Sequence, residues 1–220
     1  MKSAIILLSG GLDSATTLYY AKQKGFKTFC LIFDYNQRHK KEIEHAKRIA
    51  RISKSGFQVI KIRLPWKGSS LLDKKIPLPV NRTMIPDEIP STYVPARNII
   101  FLSFAASYAE SIGAGAIFIG ANAIDYSGYP DCRPQFYRAY QAMVNKGMKA
   151  GVEGRTIKIY TPLIRKAKAQ IIQLGLKLKA PLDLTWSCYG GGAKPCGRCD
   201  SCVLRERGFM EARGKRSEVR

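Results

Sequence analysis

The chain has 220 residues, of which 45% are apolar, enough for one globular domain with a substantial core. It contains no run of 18 apolar residues, and its short apolar start, Ser3–Leu8, lacks the cleavage site of a signal peptide, so a cytoplasmic protein without a membrane span is expected. The 37 Lys and Arg outweigh the 16 Asp and Glu by a net +21, spread along the chain without aromatic interleaving, which favours an anionic small substrate in a basic cleft over direct nucleic-acid binding.

Taken in chain order, Ser3–Leu8 reads as a buried strand and Ser14–Lys24 as a helix closed by Gly25. Thr28–Phe33 is a second apolar strand. In Lys40–Ser53 the residues Ile43, Ala46, Ile49, Ala50 and Ser53 recur at helical spacing, with charges on the opposite face. Phe57–Ile62 alternates like a strand, and Asn98–Ile112 is apolar nearly all round, which predicts a buried helix. Ala114–Ile119 and Thr156–Tyr160 are short strands, and Ala167–Leu178 is an amphipathic helix. This alternation predicts an α/β fold, a doubly wound parallel sheet with helices on both faces. Pro65–Pro95 interrupts it with six of the eleven prolines and few periodic signals. A loop that long is expected to be a lid over a site, the alternative being a disordered surface insertion. The sequence past Phe209 is charged and reads as a disordered tail.

The strongest chemical signal stands at the first strand–helix junction, where Leu8 leads into Ser9-Gly10-Gly11-Leu12-Asp13-Ser14. Ligands of doubly wound sheets sit at the carboxyl ends of strands, where helix N-termini point. Two glycines let backbone N–H groups approach a phosphate, the helix dipole favours its charge, and Ser9 and Ser14 add hydroxyl donors. Asp13 can reach a magnesium ion carried by the phosphates. The stretch lacks the Gly-Lys-Ser/Thr ending of a Walker loop, so γ-phosphoryl transfer is not expected.

Ser-Gly-Gly-Leu-Asp-Ser after an N-terminal strand resembles the pyrophosphate loop (PP-loop) of the ATP pyrophosphatase superfamily. That resemblance implies an adenine-nucleotide α-hydrolase-like fold and an enzyme that adenylates a carbonyl or carboxylate oxygen before a nitrogen or sulfur nucleophile displaces AMP. Three further stretches, Ser91–Asn98, Asp125–Arg133 and the cysteine-rich C-terminal region, resemble the 7-cyano-7-deazaguanine (preQ0) synthase family, over about Ser3 to Cys202. The resemblance implies an ATP-dependent carbon–nitrogen ligase of queuosine or archaeosine biosynthesis, with ATP, ammonia and 7-carboxy-7-deazaguanine as its partners. Its implied substrate contacts are Arg97, Asn98, Asp125, Tyr126, Tyr129, Asp131 and Arg133, with the carboxylates accepting from the guanine-like edge and the tyrosines stacking. Asp13, Ser14 and Lys168 are the implied catalytic residues. Gln170 departs from the family's usual Ser/Thr-Lys-Ala-Glu pattern, which has an acid there. A tRNA-modifying enzyme or RNA-binding zinc protein of the same superfamily is the alternative.

Cys188, Cys196, Cys199 and Cys202 supply four thiolates around tight turns, a donor set suited to one structural Zn²⁺, with an iron–sulfur cluster as the lesser option. Cys30 is expected in the core, Cys132 is either structural or pocket-lining, and His39 and His45 read as helix-surface residues. The expected organisation is a nucleotide-binding α/β domain at 1–181, a zinc-binding region at 182–210 and a charged tail at 211–220. A homodimer stays open.

Overall fold

The protein is described here by a computed structural model covering residues 2–82, 88–122 and 128–214. Five parallel strands form one sheet: β1 (Ser3–Leu7), β2 (Lys27–Asp34), β3 (Gly56–Lys61), β4 (Ala116–Phe118) and β5 (Lys158–Tyr160). They lie in the order β3-β2-β1-β4-β5, so the chain reverses direction across the sheet between β1 and β4. The helices are α1 (Leu12–Gln23), α2 (Lys41–Ile52), α3 (Arg97–Ser111), α4 (Pro134–Gly147), α5 (Lys149–Val152), α6 (Lys168–Lys177) and α7 (Asp200–Ala212).

The period-two geometry of a strand explains why β1 is apolar throughout. Ile5 and Leu7 point to one face, where they pack with Leu102 and Ala105 of α3 and Tyr137 and Tyr140 of α4. Ala4 and Ile6 point to the other, against Ala15 and Leu18 of α1 and Ile43, Ala46 and Ile49 of α2. A third apolar cluster joins Leu12 to Ile171 and Ile172 of α6, with Phe209 and Ala212 of α7 laid over it. This packing carries the C-terminal arm back to the strand ends. Among the described residues, no helix is long and apolar enough to cross a membrane.

The α/β fold and all five strands stand as expected from sequence. Three features differ. Helix α3 is not buried all round, since Ile99 is 41% and Phe104 39% exposed on its outer side. Helices α4 and α7 were not anticipated: Pro134 hides in a turn-like Pro-rich context, and the cysteines and glycines before Asp200 read as loop. The charged stretch past Phe209 continues as helix to Ala212, because that end of α7 packs on α6. Residues 215–220 lie outside the described residues.

Two glycines allow the backbone approaches that shape the first loop. Gly10 has φ +83°, and a Cβ there would fall 2.2 Å from the Glu42 carbonyl oxygen. A Cβ on Gly120, just past β4, would fall 3.0 Å from the Asp13 carbonyl carbon. Gly25 shares the left-handed conformation at φ +79° but has open space around its Cβ direction. Gly25→Ala should therefore cost only the left-handed strain, about 1–2 kcal/mol. Gly10→Ala adds a backbone collision and should cost roughly 2–5 kcal/mol. Urea unfolding of the two variants side by side checks the difference, and equal losses would remove the steric account.

Candidate active site

A cavity of about 300 Å³ opens at the carboxyl ends of the strands, beside the point where the strand order reverses. Its floor is the β1–α1 loop. Ser14 Oγ donates to the Gly11 carbonyl (3.0 Å) and accepts from Ser9 N–H (3.2 Å), while Ser9 Oγ accepts from Gly11 N–H (3.3 Å). The two hydroxyls lie 3.0 Å apart. The loop is thus pre-formed by its own side chains, with α1's N-terminus directed at the cavity.

Asp13 is held from two sides. Lys168 Nζ lies 2.8 and 3.0 Å from its carboxylate oxygens, and Asn122 Nδ2 donates to Oδ2 at 3.0 Å. Lys168 reaches Asp13 across the α6–α7 contact, where a Cβ at Gly208 would fall 2.5 Å from Lys168 Cγ. Gly208 therefore leaves room for the lysine stem. Gln170, the departure from the family pattern, accepts from the Ala167 N–H at 3.0 Å and so caps the helix that presents Lys168. An amide oxygen serves that role as a carboxylate would.

On the opposite wall stand Arg97, Asn98, Tyr129 and Cys132. Burial opposes the charge on Arg97, but the phenols of Tyr35 and Tyr129, the Cys132 thiol and the Asp131 carboxylate outweigh it and raise the guanidinium pKa. Tyr129 shares a 2.7 Å hydrogen bond with Thr92, and Asn98 Nδ2 donates to Cys132 Sγ at 3.1 Å.

Of the residues expected at the site, Leu8, Ser9, Gly11, Leu12, Asp13, Ser14, Arg97, Asn98, Tyr129 and Lys168 line this one cavity. Gly10 faces away, its carbonyl accepting from Trp186 N–H at 2.9 Å. Asp131 and Arg133 are not on the lining. The buried Asp131 carboxylate instead accepts from the Asn98 backbone N–H at 2.9 Å, in the first turn of α3. It anchors the helix start that carries Arg97, one step back from the cavity. Asp125 and Tyr126 lie outside the described residues.

Several lining residues carried no sequence motif: Gln37 and Glu42 around the start of α2, Trp186 and Arg205 from the C-terminal arm. Arg205 donates to Thr185 Oγ1 (2.6 Å) and the Leu182 carbonyl (2.9 Å), and burial lowers its pKa from the ordinary arginine value. His39 and His45 are not free surface residues. His45 Nδ1 lies 2.6 Å from the Leu184 carbonyl, its ring 5.4 Å from that of Trp186, and His39 packs against Gly191.

The sulfur atoms of Cys188, Cys196, Cys199 and Cys202 all lie within 4.8 Å of one another. Backbone N–H groups of Gly190 and Cys196 point at Cys188 Sγ, each at 3.3 Å, and that of Cys199 at Cys196 Sγ at 3.4 Å. Such donors favour thiolate, so the donor set fits a bound metal ion. Cys30 is fully buried, and burial pushes its thiol up to about 12, which suits a core residue. The Pro-rich segment docks against this region. Val80 bridges to Cys199, Asn81 N–H donates to the Arg198 carbonyl at 2.9 Å, and Arg82 forms a forked ion pair with Asp200. Leu71 of the same segment lines the cavity.

Fold, loop and cavity together define an α/β protein of the PP-loop ATP pyrophosphatase class. The chain belongs to the family described as "Queuosine biosynthesis protein QueC", whose model matches residues 3–213. It is 53% identical over 213 residues to the 7-cyano-7-deazaguanine synthase of Acetivibrio thermocellus, covering 96% of this chain and 95% of that one. It is also 53% identical to the enzyme of the same name from Picrophilus torridus, covering 96% and 89%. Among solved structures, NMN synthetase from Francisella tularensis shares the fold at a TM-score of 0.53 and 17% identity, covering 99% of this chain and 79% of that one.

Removing the anion at the start of α3 should loosen the wall that carries Arg97. Asp131→Ala is expected to cost about 1–2 kcal/mol, as for loss of a helix cap. Thermal unfolding measures it, and an unchanged transition would show that the Asn98 contact contributes nothing.

Proposed function

We propose that the protein converts 7-carboxy-7-deazaguanine and ammonia to 7-cyano-7-deazaguanine, using ATP to adenylate oxygen twice and passing through an amide. The observation that carries this reading is the single cavity joining the loop at Ser9–Ser14 to the Arg97–Tyr129 wall. An adenylation site must hold a triphosphate and an oxygen nucleophile side by side, and a cavity with a phosphate-suited floor and a base-suited wall does so.

Each residue then has a physical task. Backbone N–H groups of the loop and the Ser9 and Ser14 hydroxyls grip the β,γ-pyrophosphate, which leaves as a unit. Lys168 neutralises charge building on the α-phosphate, and Asp13 holds the ammonium group of Lys168 in place and can meet the Mg²⁺ that accompanies ATP. Arg97 attracts the substrate carboxylate, and the Tyr129 ring offers its face to the deazaguanine. Asp125 and Tyr126 remain candidates for the guanine-like edge, and Asp131 supports that wall from behind. Arg205 and Trp186 close the cavity from the C-terminal arm, excluding water that would otherwise hydrolyse the acyl adenylate.

Cys188, Cys196, Cys199 and Cys202 are assigned to one Zn²⁺. Bound there, the ion would cross-link the arm whose Trp186 and Arg205 line the cavity; four protein thiolates leave no open position for chemistry. The Pro-rich segment, stapled to the same arm, acts as the rim of the site.

Purified protein supplied with ATP, ammonium and 7-carboxy-7-deazaguanine should release AMP and pyrophosphate together with a product of the mass of the nitrile. ADP as the main nucleotide product would overturn the adenylation reading. Asp13→Asn or Lys168→Ala should lower turnover by at least about a hundredfold, on the scale of losing one positioned electrostatic partner, while the unfolding transition stays in place.

Elemental analysis should find about one zinc per chain. Cys196→Ser should lower the melting temperature and the zinc content together, with the residual folded enzyme keeping its turnover. A variant that stays folded with full zinc content and loses activity would make the metal catalytic instead.

A further inference from the structure

Forming a nitrile from ammonia requires nitrogen to lose all its protons, so the site needs a base as well as leaving-group chemistry. Among the described residues two carboxylates line the cavity, Asp13 and Glu42. Asp13 is committed to Lys168 and Asn122 at 2.8–3.0 Å. Glu42, in the first turn of α2, has no ion pair among the described residues. Resting on the synthase reading, we propose that Glu42 is the catalytic base that takes protons from the incoming nitrogen in both half-reactions.

The geometry around Glu42 is that of a held acceptor. Gln37 Nε2 donates to Glu42 Oε1 at 2.9 Å and to the Phe33 carbonyl at 3.2 Å. Gln37 Oε1 in turn accepts from the Tyr35 backbone N–H at 2.9 Å. Since the amide oxygen of Gln37 is taken by an N–H, its NH₂ group must face Glu42, and the orientation is fixed by main chain at both ends. One carboxylate oxygen is thereby pinned on a residue that lines the cavity. Tyr35 and Arg97 are the titratable and charged groups that face it, and Arg38 and His39 line the same wall. Burial pushes the Glu42 carboxyl above its ordinary range, against the opposing pull of Gln37 and Arg97. A carboxylate in such a place accepts a proton more readily than one in water.

In the first half-reaction the ammonia nitrogen bonds to the carbonyl carbon of the acyl adenylate, and Glu42 takes one N–H proton. The bond from that carbon to the AMP oxygen breaks, and AMP leaves with the electron pair. In the second, the amide oxygen attacks the α-phosphorus of another ATP and pyrophosphate departs. Glu42 removes the two remaining nitrogen protons in turn, releasing the first to water before taking the second. The electrons of the last N–H bond complete the carbon–nitrogen triple bond as the carbon–oxygen bond breaks and AMP leaves.

The test compares wild type with Glu42→Gln in two assays on the full chain. Exchange of labelled pyrophosphate into ATP, dependent on 7-carboxy-7-deazaguanine, reports adenylation alone and should stay within a few-fold of wild type. Conversion of the preformed amide, 7-amido-7-deazaguanine, to the nitrile with ATP should fall by about 10²–10³-fold. The wild-type rate of that conversion should fall as pH drops through the raised Glu42 ionisation, and the Gln variant should lose this acid limb. Nitrile formed by the variant at the wild-type rate would overturn the proposal. Loss of exchange in parallel would overturn it too, by making Glu42 a binding or folding residue. A wild type that performs the exchange but never forms nitrile from the amide would instead bring down the synthase reading.

Discussion

Gly10 is the point at which three backbone segments meet. Its positive φ turns the first loop sharply out of β1, and its missing side chain lets the loop lie against the Glu42 carbonyl and Ala46 N of α2. Its own carbonyl accepts the Trp186 N–H of the C-terminal arm. Loop, helix and arm are therefore held together by main chain before any side chain in the cavity is considered. Because α2 is fixed to the loop in this way, Glu42 is carried to the cavity wall. Because the arm is fixed to it, Trp186 closes that wall, flanked by the Lys41 ammonium 4.7 Å from its ring centroid.

The arm is long in sequence and has few apolar residues of its own, so it depends on local cross-links. Four sulfurs cluster within its turns, and Arg82 and Asp200 tie it to the Pro-rich segment. Helix α7 then lies on α6 closely enough that Gly208 takes the place where a side chain would meet the Lys168 stem. The arm thus determines where Lys168 stands relative to Asp13.

The net charge of +21 is also resolved locally. Arg38, Arg97, Lys168 and Arg205 all line the cavity, whereas its described carboxylates are two. A concave site with that balance favours polyanions such as a nucleoside triphosphate.

The sheet and the β1–α1 loop were legible in the sequence because their signals are local. Apolar runs of strand length, helical periodicity in Lys40–Ser53, and Ser-Gly-Gly-Leu-Asp-Ser each act within a few residues. The cysteine cluster was legible for the same reason, its spacing bringing four sulfurs around tight turns. Tertiary packing alone decided which side of Asn98–Ile112 meets solvent, since an apolar surface carries no mark of whether a neighbour covers it. It alone turned Asp131 toward the first turn of α3, where a bare backbone N–H needed an acceptor. It alone brought Glu42 and Arg205 to one cavity, although they lie far apart in the chain and neither belongs to a sequence motif. Local spacing determines which elements form, and long-range close packing determines which side chains share a site.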